Sequence, residues 1–178
     1  MTAMKQVLPN CLTALRILLA IPIVMAVNQD LKLALILFCV AALTDAFDGR
    51  LARRWSATSK LGAILDPLAD KIIYLVTLYA LSYSLPIFWI FVLTFPLEAT
   101  LMAIRFEPLK SRFKTIVPAT NIGKEKMCLQ SAAIVIMMVG VLIDYQLLMI
   151  EGIIIASLAI LYSWASLMSH FEQKIKTA

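Results

Sequence analysis

The sequence predicts an all-α polytopic membrane protein with six transmembrane helices. Of its 178 residues, 62% are hydrophobic and 15% are charged, and the mean hydropathy is +0.90. An ordinary soluble domain has about 45–50% apolar and about 25% charged residues, so a soluble enzyme, a disordered chain and a fibrous protein are excluded. Because a spanning helix needs about 20 residues, we expect six spans in one membrane domain, residues 1–178, without a separate soluble domain.

Six apolar runs, separated by polar breaks, define the predicted helices. They are residues 12–27, 31–47, 68–83, 85–104, 127–143 and 147–168. The first run is longer than the apolar core of a signal peptide, about 7–15 residues, and it contains Arg16. We therefore expect it to be an uncleaved membrane helix. Tight loops are expected at residues 28–30, 82–84 and 144–146, and Pro86 and Pro96 predict kinks in the fourth helix.

The basic residues predict the orientation in the membrane. With six spans, nearly all of them fall on one side, and the three loops of the other side contain only Lys32. The basic side is cytoplasmic by the positive-inside rule, which places both termini in the cytoplasm. The net charge of +5 therefore reports topology rather than nucleic-acid binding. The residues of the basic side are Lys5, Arg50, Arg53, Arg54, Lys60, Lys110, Arg112, Lys114, Lys124, Lys126, Lys174 and Lys176.

Cysteine and histidine give no sign of a disulfide framework or a zinc site. Cys11, Cys39 and Cys128 are odd in number and widely spaced, so we interpret them as small buried hydrophobic residues. His170 has no partner at ligand spacing and is expected at a solvated or interfacial position.

Four aspartates lie where lipid-facing residues are expected. Asp45 and Asp48 are three residues apart, and Asp66 and Asp70 are four apart, so each pair lies on one helical face. Charged residues in spanning segments are costly and usually functional. A cluster of carboxylates without His or Cys suits Mg²⁺, Mn²⁺ or Ca²⁺, and two bridged ions suit displacement at phosphorus. Alternatively, the acids form ion pairs in a solvated loop with nearby cations, namely Arg50, Arg53, Arg54, Lys60 and Lys71.

The residues between the two aspartate pairs favour a phosphate-binding site over a solvated loop. Gly49 and Ala52 are small, and Gly62 permits close backbone approach. Arg53 offers a fixed set of donors to phosphate, and Ser59 adds a hydroxyl group.

The pattern Asp45-x2-Asp48-Gly49-x2-Ala52-Arg53-x8-Gly62-x3-Asp66-x3-Asp70 resembles the complete signature of the CDP-alcohol phosphotransferase family. The resemblance implies six membrane helices, a homodimer and a centre of two divalent ions, Mg²⁺ or Mn²⁺. The ions would be held by the four aspartates, with Asp70 also acting as the general base. It further implies that an acceptor hydroxyl attacks the lipid-bearing phosphorus of a CDP-linked lipid and that CMP leaves. In the family, the matching small and polar positions contact this CDP-lipid; here they are Gly49, Ala52, Arg53 and Ser59.

The N-terminal residues Asn10, Thr13 and Arg16 also resemble a family segment, which leads from an interfacial helix into the first span and contacts the CDP-lipid. From the residues alone, Asn10 or Thr13 could equally be a helix N-cap. Arg16 lies inside an apolar run and needs an anionic partner. The aspartate cluster or the phosphates of the substrate would supply one.

Within the family, the chain is most similar to the bacterial branch that uses CDP-diacylglycerol and glycerol 3-phosphate. Glu98 and Arg105 fit that branch, whereas Leu97 stands where it has Arg. Lys124 and Lys126 are kept, and Met127 replaces a Thr. The resemblance implies that the acceptor phosphate is held by three cations, Arg105, Lys124 and Lys126. Arg112 and Lys114 are nearby substitutes. Lys110, Arg112 and Lys114 could instead form a basic loop beside anionic headgroups.

Three alternatives remain open at this stage. Because Leu97 stands where the glycerol 3-phosphate branch has Arg, the acceptor could instead be a lipid such as phosphatidylglycerol, as in the cardiolipin-synthesising branch. A divalent-cation transporter would use the same aspartates, but it should carry polar residues across the whole bilayer, whereas the outer halves of the predicted spans are apolar. An inactive scaffold would be expected to have a broken motif, whereas this motif is intact. The resemblance to bacterial enzymes implies an inner-membrane protein whose site faces the cytoplasm.

Overall fold

The computed structural model describes the backbone of residues 2–55, 62–105 and 121–177, and the side chains of residues 13–44, 65, 67–104 and 125–168. These residues form six α-helices and no β-strand, which confirms the predicted all-α class. Ser59, Lys60, Lys110, Arg112 and Lys114 lie outside the described residues. The helices are α1 (Thr2–Gln29), α2 (Leu31–Trp55), α3 (Gly62–Leu81), α4 (Phe88–Arg105), α5 (Asn121–Leu142) and α6 (Gln146–Thr177).

The first compact unit, Met1–Ser84, contains α1, α2 and α3. α1 packs against both of the other helices. Asp30 separates α1 from α2 and caps α2, because its Oδ1 accepts hydrogen bonds from the backbone N–H groups of Lys32 and Leu33, each at 3.1 Å. Aspartate is among the preferred residues at this position. The cap explains how the chain reverses at the predicted tight loop with a single non-helical residue.

The helices of this unit are longer than the apolar runs that predicted them. α1 begins at Thr2 without a break before the first run, α2 continues past residue 47 to Trp55, and α3 starts at Gly62 rather than near residue 68. Hydropathy measures how long a segment is apolar, whereas a helix continues through charged residues that form helices well, such as Arg. The extensions of α2 and α3 carry Asp48 and Asp66, two of the four aspartates of the motif.

The second compact unit, Leu85–Ala178, contains α4, α5 and α6, and α6 packs against both α5 and α4. α5 ends in a turn in which Asp144 is left-handed, with φ 51°. The Tyr145 N–H donates to the Gly140 carbonyl at 2.9 Å, and the Asp144 N–H donates to Val141 at 3.3 Å. This is the Schellman pattern of helix ends. It confirms the predicted short loop and returns α6 along α5.

Glycine lets α5 and α6 approach closely beside this turn. A Cβ added at Gly140 would lie 2.8 Å from the backbone nitrogen of Met149. A Cβ at Gly152 would collide with the Met137 side chain and lie 3.1 Å from the Ala133 carbonyl oxygen. Small residues at such positions are typical of helices packed in membranes.

The predicted kink at Pro86 is wrong, because Pro86 precedes α4 and lies in the turn between α3 and α4. A proline is tolerated there because its missing N–H disrupts no helical hydrogen bond. Pro96 does lie inside α4, and a kink at that position stays a prediction.

The exposed surface of the helices is rich in large apolar side chains, and a few polar side chains are buried within a mainly apolar core. Large apolar side chains are exposed on α1, α2, α4 and α6, including Leu18, Ile36 and Ile154, whereas polar side chains such as Arg16 and Glu98 are buried. Among the described residues, two segments are long and apolar enough to cross a bilayer, Glu125–Leu142 and Gln146–Met168. Shorter apolar segments are Thr13–Gln29, Leu31–Thr44 and Phe88–Ile104. The number of six spans therefore stays a prediction.

The cysteines differ from the prediction that all three are buried. Cys128 is exposed and Cys39 is half-buried, while the side chain of Cys11 lies outside the described residues. A thiol behaves as a small hydrophobic group, so an outward position on an apolar helix costs little.

Candidate functional site

The aspartate motif is carried by two helices of the first unit. Asp45, Asp48, Gly49, Ala52 and Arg53 follow one another along the last turns of α2. Their spacing of three and four residues places the first four at positions of one helical face.

Asp66 and Asp70 lie one turn apart near the start of α3, on either side of Pro67. Of the four aspartates, only Asp70 has a described side chain. The convergence of the other three therefore stays a prediction.

Asp70 forms an ion pair with Arg16 of α1. Arg16 Nη1 donates to Asp70 Oδ1 at 2.8 Å, and the side chains are 2% and 16% exposed, respectively. The sequence required an anionic partner for Arg16, and this contact provides it from the predicted aspartate set. The packing of α1 against α3 thus joins the N-terminal segment to the last aspartate of the motif.

The two side chains of this ion pair differ in burial. The Arg16 side chain is almost fully buried, whereas the Asp70 side chain keeps a small exposed fraction. A charge-assisted hydrogen bond of this length is stronger than a neutral one. The contact therefore holds the Asp70 side chain against α1.

Thr13 lies one turn before Arg16 and is fully buried, so the two residues share a face of α1. Asn10 also lies within α1, although its side chain is not described. The alternative interpretation of Asn10 or Thr13 as an N-cap is wrong, because α1 begins well before both residues, at Thr2.

A second buried polar cluster lies in the other compact unit and contains Lys126. Its Nζ donates to both carboxylate oxygens of Glu98, at 2.8 and 3.0 Å. Gln130 Nε2 donates to Glu98 Oε1 at 2.9 Å, and the Ser163 hydroxyl donates to the same oxygen at 3.2 Å. The four residues, named here the Glu98 cluster, join α4, α5 and α6.

The remaining predicted acceptor residues lie at the neighbouring ends of the same helices. Arg105 is the last residue of α4, and Lys124 lies in the first turn of α5; their side chains are not described. Leu97, which departs from the family pattern, is buried and directly precedes Glu98 in sequence. The structure therefore connects Lys126 to Glu98 and leaves the contacts of Arg105 and Lys124 as predictions.

Sequence reasoning missed Gln130 and Ser163 as members of this cluster. A signal for Gln130 was present, because it is a polar residue within the apolar run 127–143 and follows Lys126 by about one helical turn. No comparable signal marks Ser163, since its single hydroxyl proton is shared between Glu98 and the Ala159 carbonyl, at 3.2 and 2.9 Å, and the bond to Ala159 is one that any helical serine can make.

The described side chains contain no group of three or more His, Cys, Asp or Glu residues close enough to hold a metal ion. Only one member of the predicted quartet, Asp70, belongs to that set. The side chains of the other predicted metal ligands, Asp45, Asp48 and Asp66, lie outside the described residues.

Comparison with known proteins gives consistent matches. A family model described as CDP-alcohol phosphatidyltransferase matches residues 6–169. A protein from Blochmanniella floridana named CDP-diacylglycerol--glycerol-3-phosphate 3-phosphatidyltransferase is 41% identical over 70 residues, which are 39% of this chain and 35% of that protein. Proteins of the same name from Escherichia coli K12 and Shigella flexneri serotype 5b are each 31% identical over 137 residues, 71% of this chain and 74% of theirs.

Proposed function

Because the chain belongs to the CDP-alcohol phosphatidyltransferase family, we propose that it transfers phosphatidyl from CDP-diacylglycerol to glycerol 3-phosphate and releases CMP. This is the activity of a phosphatidylglycerophosphate synthase, and it corresponds to the name of the E. coli relative. The structural observation that carries the proposal is the buried Arg16–Asp70 pair. The pair connects the N-terminal segment on α1 with the aspartate motif on α3, and the resemblance to the family implies that both act on the CDP-lipid.

In the proposed reaction, the hydroxyl oxygen of glycerol 3-phosphate forms a bond to the β-phosphorus of CDP-diacylglycerol. The bond between this phosphorus and the bridging oxygen breaks, and CMP leaves with the electron pair. Asp70 takes the proton of the attacking hydroxyl. Its partial exposure supports this role, since a general base must come within hydrogen-bond distance of the proton that it accepts.

We further propose that Asp45, Asp48, Asp66 and Asp70 hold two divalent ions, Mg²⁺ or Mn²⁺. The donor set fits, because an all-carboxylate site is typical of hard cations. When bound, the ions would neutralise the charge of the substrate's pyrophosphate. Because Arg16 already neutralises part of the charge of Asp70, we expect Asp70 to be the least tightly ligated of the four.

The CDP-lipid is proposed to contact residues of α1 and α2 together with Ser59. The guanidinium groups of Arg16 and Arg53 suit its phosphates, and Gly49 and Ala52 leave room for the nucleotide. The contact of Arg16 with Asp70 supports a site beside the face of α1 that carries Thr13 and Arg16. The full set proposed for the CDP-lipid is Asn10, Thr13, Arg16, Gly49, Ala52, Arg53 and Ser59.

The phosphate of the acceptor is proposed to bind Arg105, Lys124 and Lys126. The neighbouring ends of α4 and α5 carry these cations, and the Glu98 cluster keeps Lys126 in place. A buried Leu97 in place of an arginine favours, as a second candidate, the cardiolipin-synthase branch with phosphatidylglycerol as acceptor. Family membership favours both enzymes over a cation transporter.

We also propose that residues 1–178 form one membrane domain of six spans with both termini in the cytoplasm. The apolar exposed faces of α1, α2, α4 and α6 and the two long apolar segments support membrane insertion. The one-sided distribution of Lys and Arg supports the orientation. The corresponding location is a bacterial inner membrane with the site facing the cytoplasm, and the proposed assembly is a homodimer.

The acceptor is tested by product analysis with purified protein, CDP-diacylglycerol and Mg²⁺ or Mn²⁺. Parallel reactions receive glycerol 3-phosphate or phosphatidylglycerol, and both CMP and the mass of the lipid product are measured. The proposal expects CMP and a phosphatidylglycerophosphate with glycerol 3-phosphate only. Cardiolipin as the sole product would establish the second candidate, and no CMP with either acceptor would contradict both.

A further inference from the structure

Glu98 is the centre of the most complete buried polar cluster in the described part of the chain. Its carboxylate accepts hydrogen bonds from Lys126, Gln130 and Ser163 at 2.8–3.2 Å. The Glu98 and Lys126 side chains are 1% and 5% exposed. One carboxylate thereby connects three helices.

Packing alone gives no reason for this cluster. Burying an ion pair costs about as much as its Coulomb attraction returns, and a set of apolar residues of similar volume is often equally stable. In spanning helices, buried charged residues usually serve binding or transport. The Glu98 cluster is therefore expected to do more than hold α4, α5 and α6 together.

The location of the cluster relates it to the proposed acceptor site. Glu98 lies seven residues before the end of α4 at Arg105, a distance of about 10 Å along the helix. Lys126 lies two residues after Lys124 in α5. Both members of the ion pair are therefore close in the helices to the basic residues proposed to hold the acceptor phosphate.

The hydrogen bonds of Lys126 leave one donor for a ligand. A lysine ammonium has three N–H donors. Among the described residues, Lys126 Nζ bonds to the two carboxylate oxygens of Glu98 alone, which uses two of these donors. The bidentate contact fixes the ammonium and hence the direction of the third N–H.

We propose that Glu98 is a positioning residue of the acceptor site. Together with Gln130 and Ser163, it holds the Lys126 ammonium so that its third N–H donates to the phosphate monoester of the acceptor. This inference rests on the proposed function and deepens it. It predicts that Glu98 controls the affinity for glycerol 3-phosphate without touching that substrate and without affecting CDP-diacylglycerol.

The test compares steady-state kinetics of Glu98→Gln and Glu98→Asp with wild type, varying each substrate separately. Glu98→Gln should raise the KM for glycerol 3-phosphate by about tenfold to a hundredfold. This factor corresponds to the free energy of one hydrogen bond to a charged group. The KM for CDP-diacylglycerol should stay unchanged. Glu98→Asp, which keeps the charge, should restore part of the affinity. Inhibition by inorganic phosphate should weaken by the same factor as the KM rises.

Ser163→Ala and Ser157→Ala form a matched pair that stays informative if the Glu98 variants do not fold. Both serines donate to a carbonyl one turn earlier in α6, at 2.9 and 2.7 Å, but only Ser163 also contacts Glu98. Ser163→Ala should raise the KM for glycerol 3-phosphate by about twofold to tenfold, and Ser157→Ala should not.

Wild-type protein that forms no product would overturn the proposed function itself. With an active wild type, a fall in kcat at an unchanged KM for glycerol 3-phosphate would instead overturn the role of Glu98. Equal effects of the two serine variants on this KM would do the same.

Discussion

Replacing Arg16 by glutamine removes the guanidinium that pairs with Asp70 and leaves the carboxylate in a largely buried position. Glutamine is uncharged, so Asp70 loses the positive charge of this ion pair. The contact that is removed is a charge-assisted hydrogen bond of 2.8 Å between Nη1 and Oδ1. We expect Arg16→Gln to destabilise the first compact unit.

The size of the effect follows from the burial of the two side chains. Removing one partner of a buried ion pair costs about 3–5 kcal/mol. Arg16 is 2% exposed but Asp70 is 16% exposed, so water can partly solvate the carboxylate and the loss should be near the lower end, about 3 kcal/mol. For a chain of this length, that corresponds to a fall in Tm of about 6–12 °C.

The assay is thermal unfolding of purified protein in detergent, followed by circular dichroism, for Arg16→Gln, Asp70→Asn and the double variant. Asp70→Asn removes the charge that Arg16 neutralises, so the double variant should be more stable than the sum of the two losses predicts. We expect a coupling of about 1–3 kcal/mol between the two sites. The matched control combines Arg16→Gln with Asp30→Asn, another aspartate of the same compact unit that lies about 21 Å from Arg16 along α1.

Additive losses for Arg16→Gln and Asp70→Asn would refute the reasoning, because the two side chains would then not stabilise each other. An Arg16→Gln protein as stable as wild type would refute it as well. The control pair should show additivity within about 0.5 kcal/mol.

Further predictions concern the base, a buried hydroxyl and the helix contact in the second unit. Asp70→Asn should lower kcat by at least about a hundredfold while Mn²⁺ still binds; full turnover by this variant would rule Asp70 out as the base. Thr77 is fully buried and its hydroxyl has no hydrogen-bond partner among the described residues. Thr77→Val should therefore increase the free energy of unfolding by about 1 kcal/mol and raise the Tm. Gly152→Ala should lower the Tm, because the added methyl group would collide with Met137; the overpacking costs about 1–3 kcal/mol, and an unchanged Tm would contradict the close helix contact.

The sequence predicts correctly that the apolar segments are α-helices, because apolar runs of this length are longer than ordinary strands. It does not predict where the helices begin and end. α2 continues through Arg50 and Arg53 to Trp55, where hydropathy has already fallen and helix propensity alone acts. A proline also has two structural uses that hydropathy does not distinguish. Pro86 precedes α4, whereas Pro96 lies inside it.

The chemistry of the residues predicts which side chains of the site need a partner, whereas the packing of the helices determines which residue that partner is. A buried Arg16 requires an anion, and the sequence offers several aspartates and the substrate phosphates as partners. The packing of α1 on α3 selects Asp70. Glu98 is a charged residue within the apolar run 85–104 and Lys126 directly precedes the run 127–143, so both are visible in the sequence. Ser163 lies 65 residues from Glu98, and such a contact leaves no local pattern.

The most direct test of the account is Mn²⁺ binding to the purified protein, measured by electron paramagnetic resonance with titrated metal and no substrate. The account predicts about two ions per chain, and it predicts that Asp45→Asn and Asp66→Asn each lose bound metal. Asp48→Asn should behave in the same way, whereas Asp70→Asn should keep most of its metal. A wild-type protein that binds no Mn²⁺, or aspartate variants that bind as much as wild type, would contradict the metal centre on which the proposed chemistry depends.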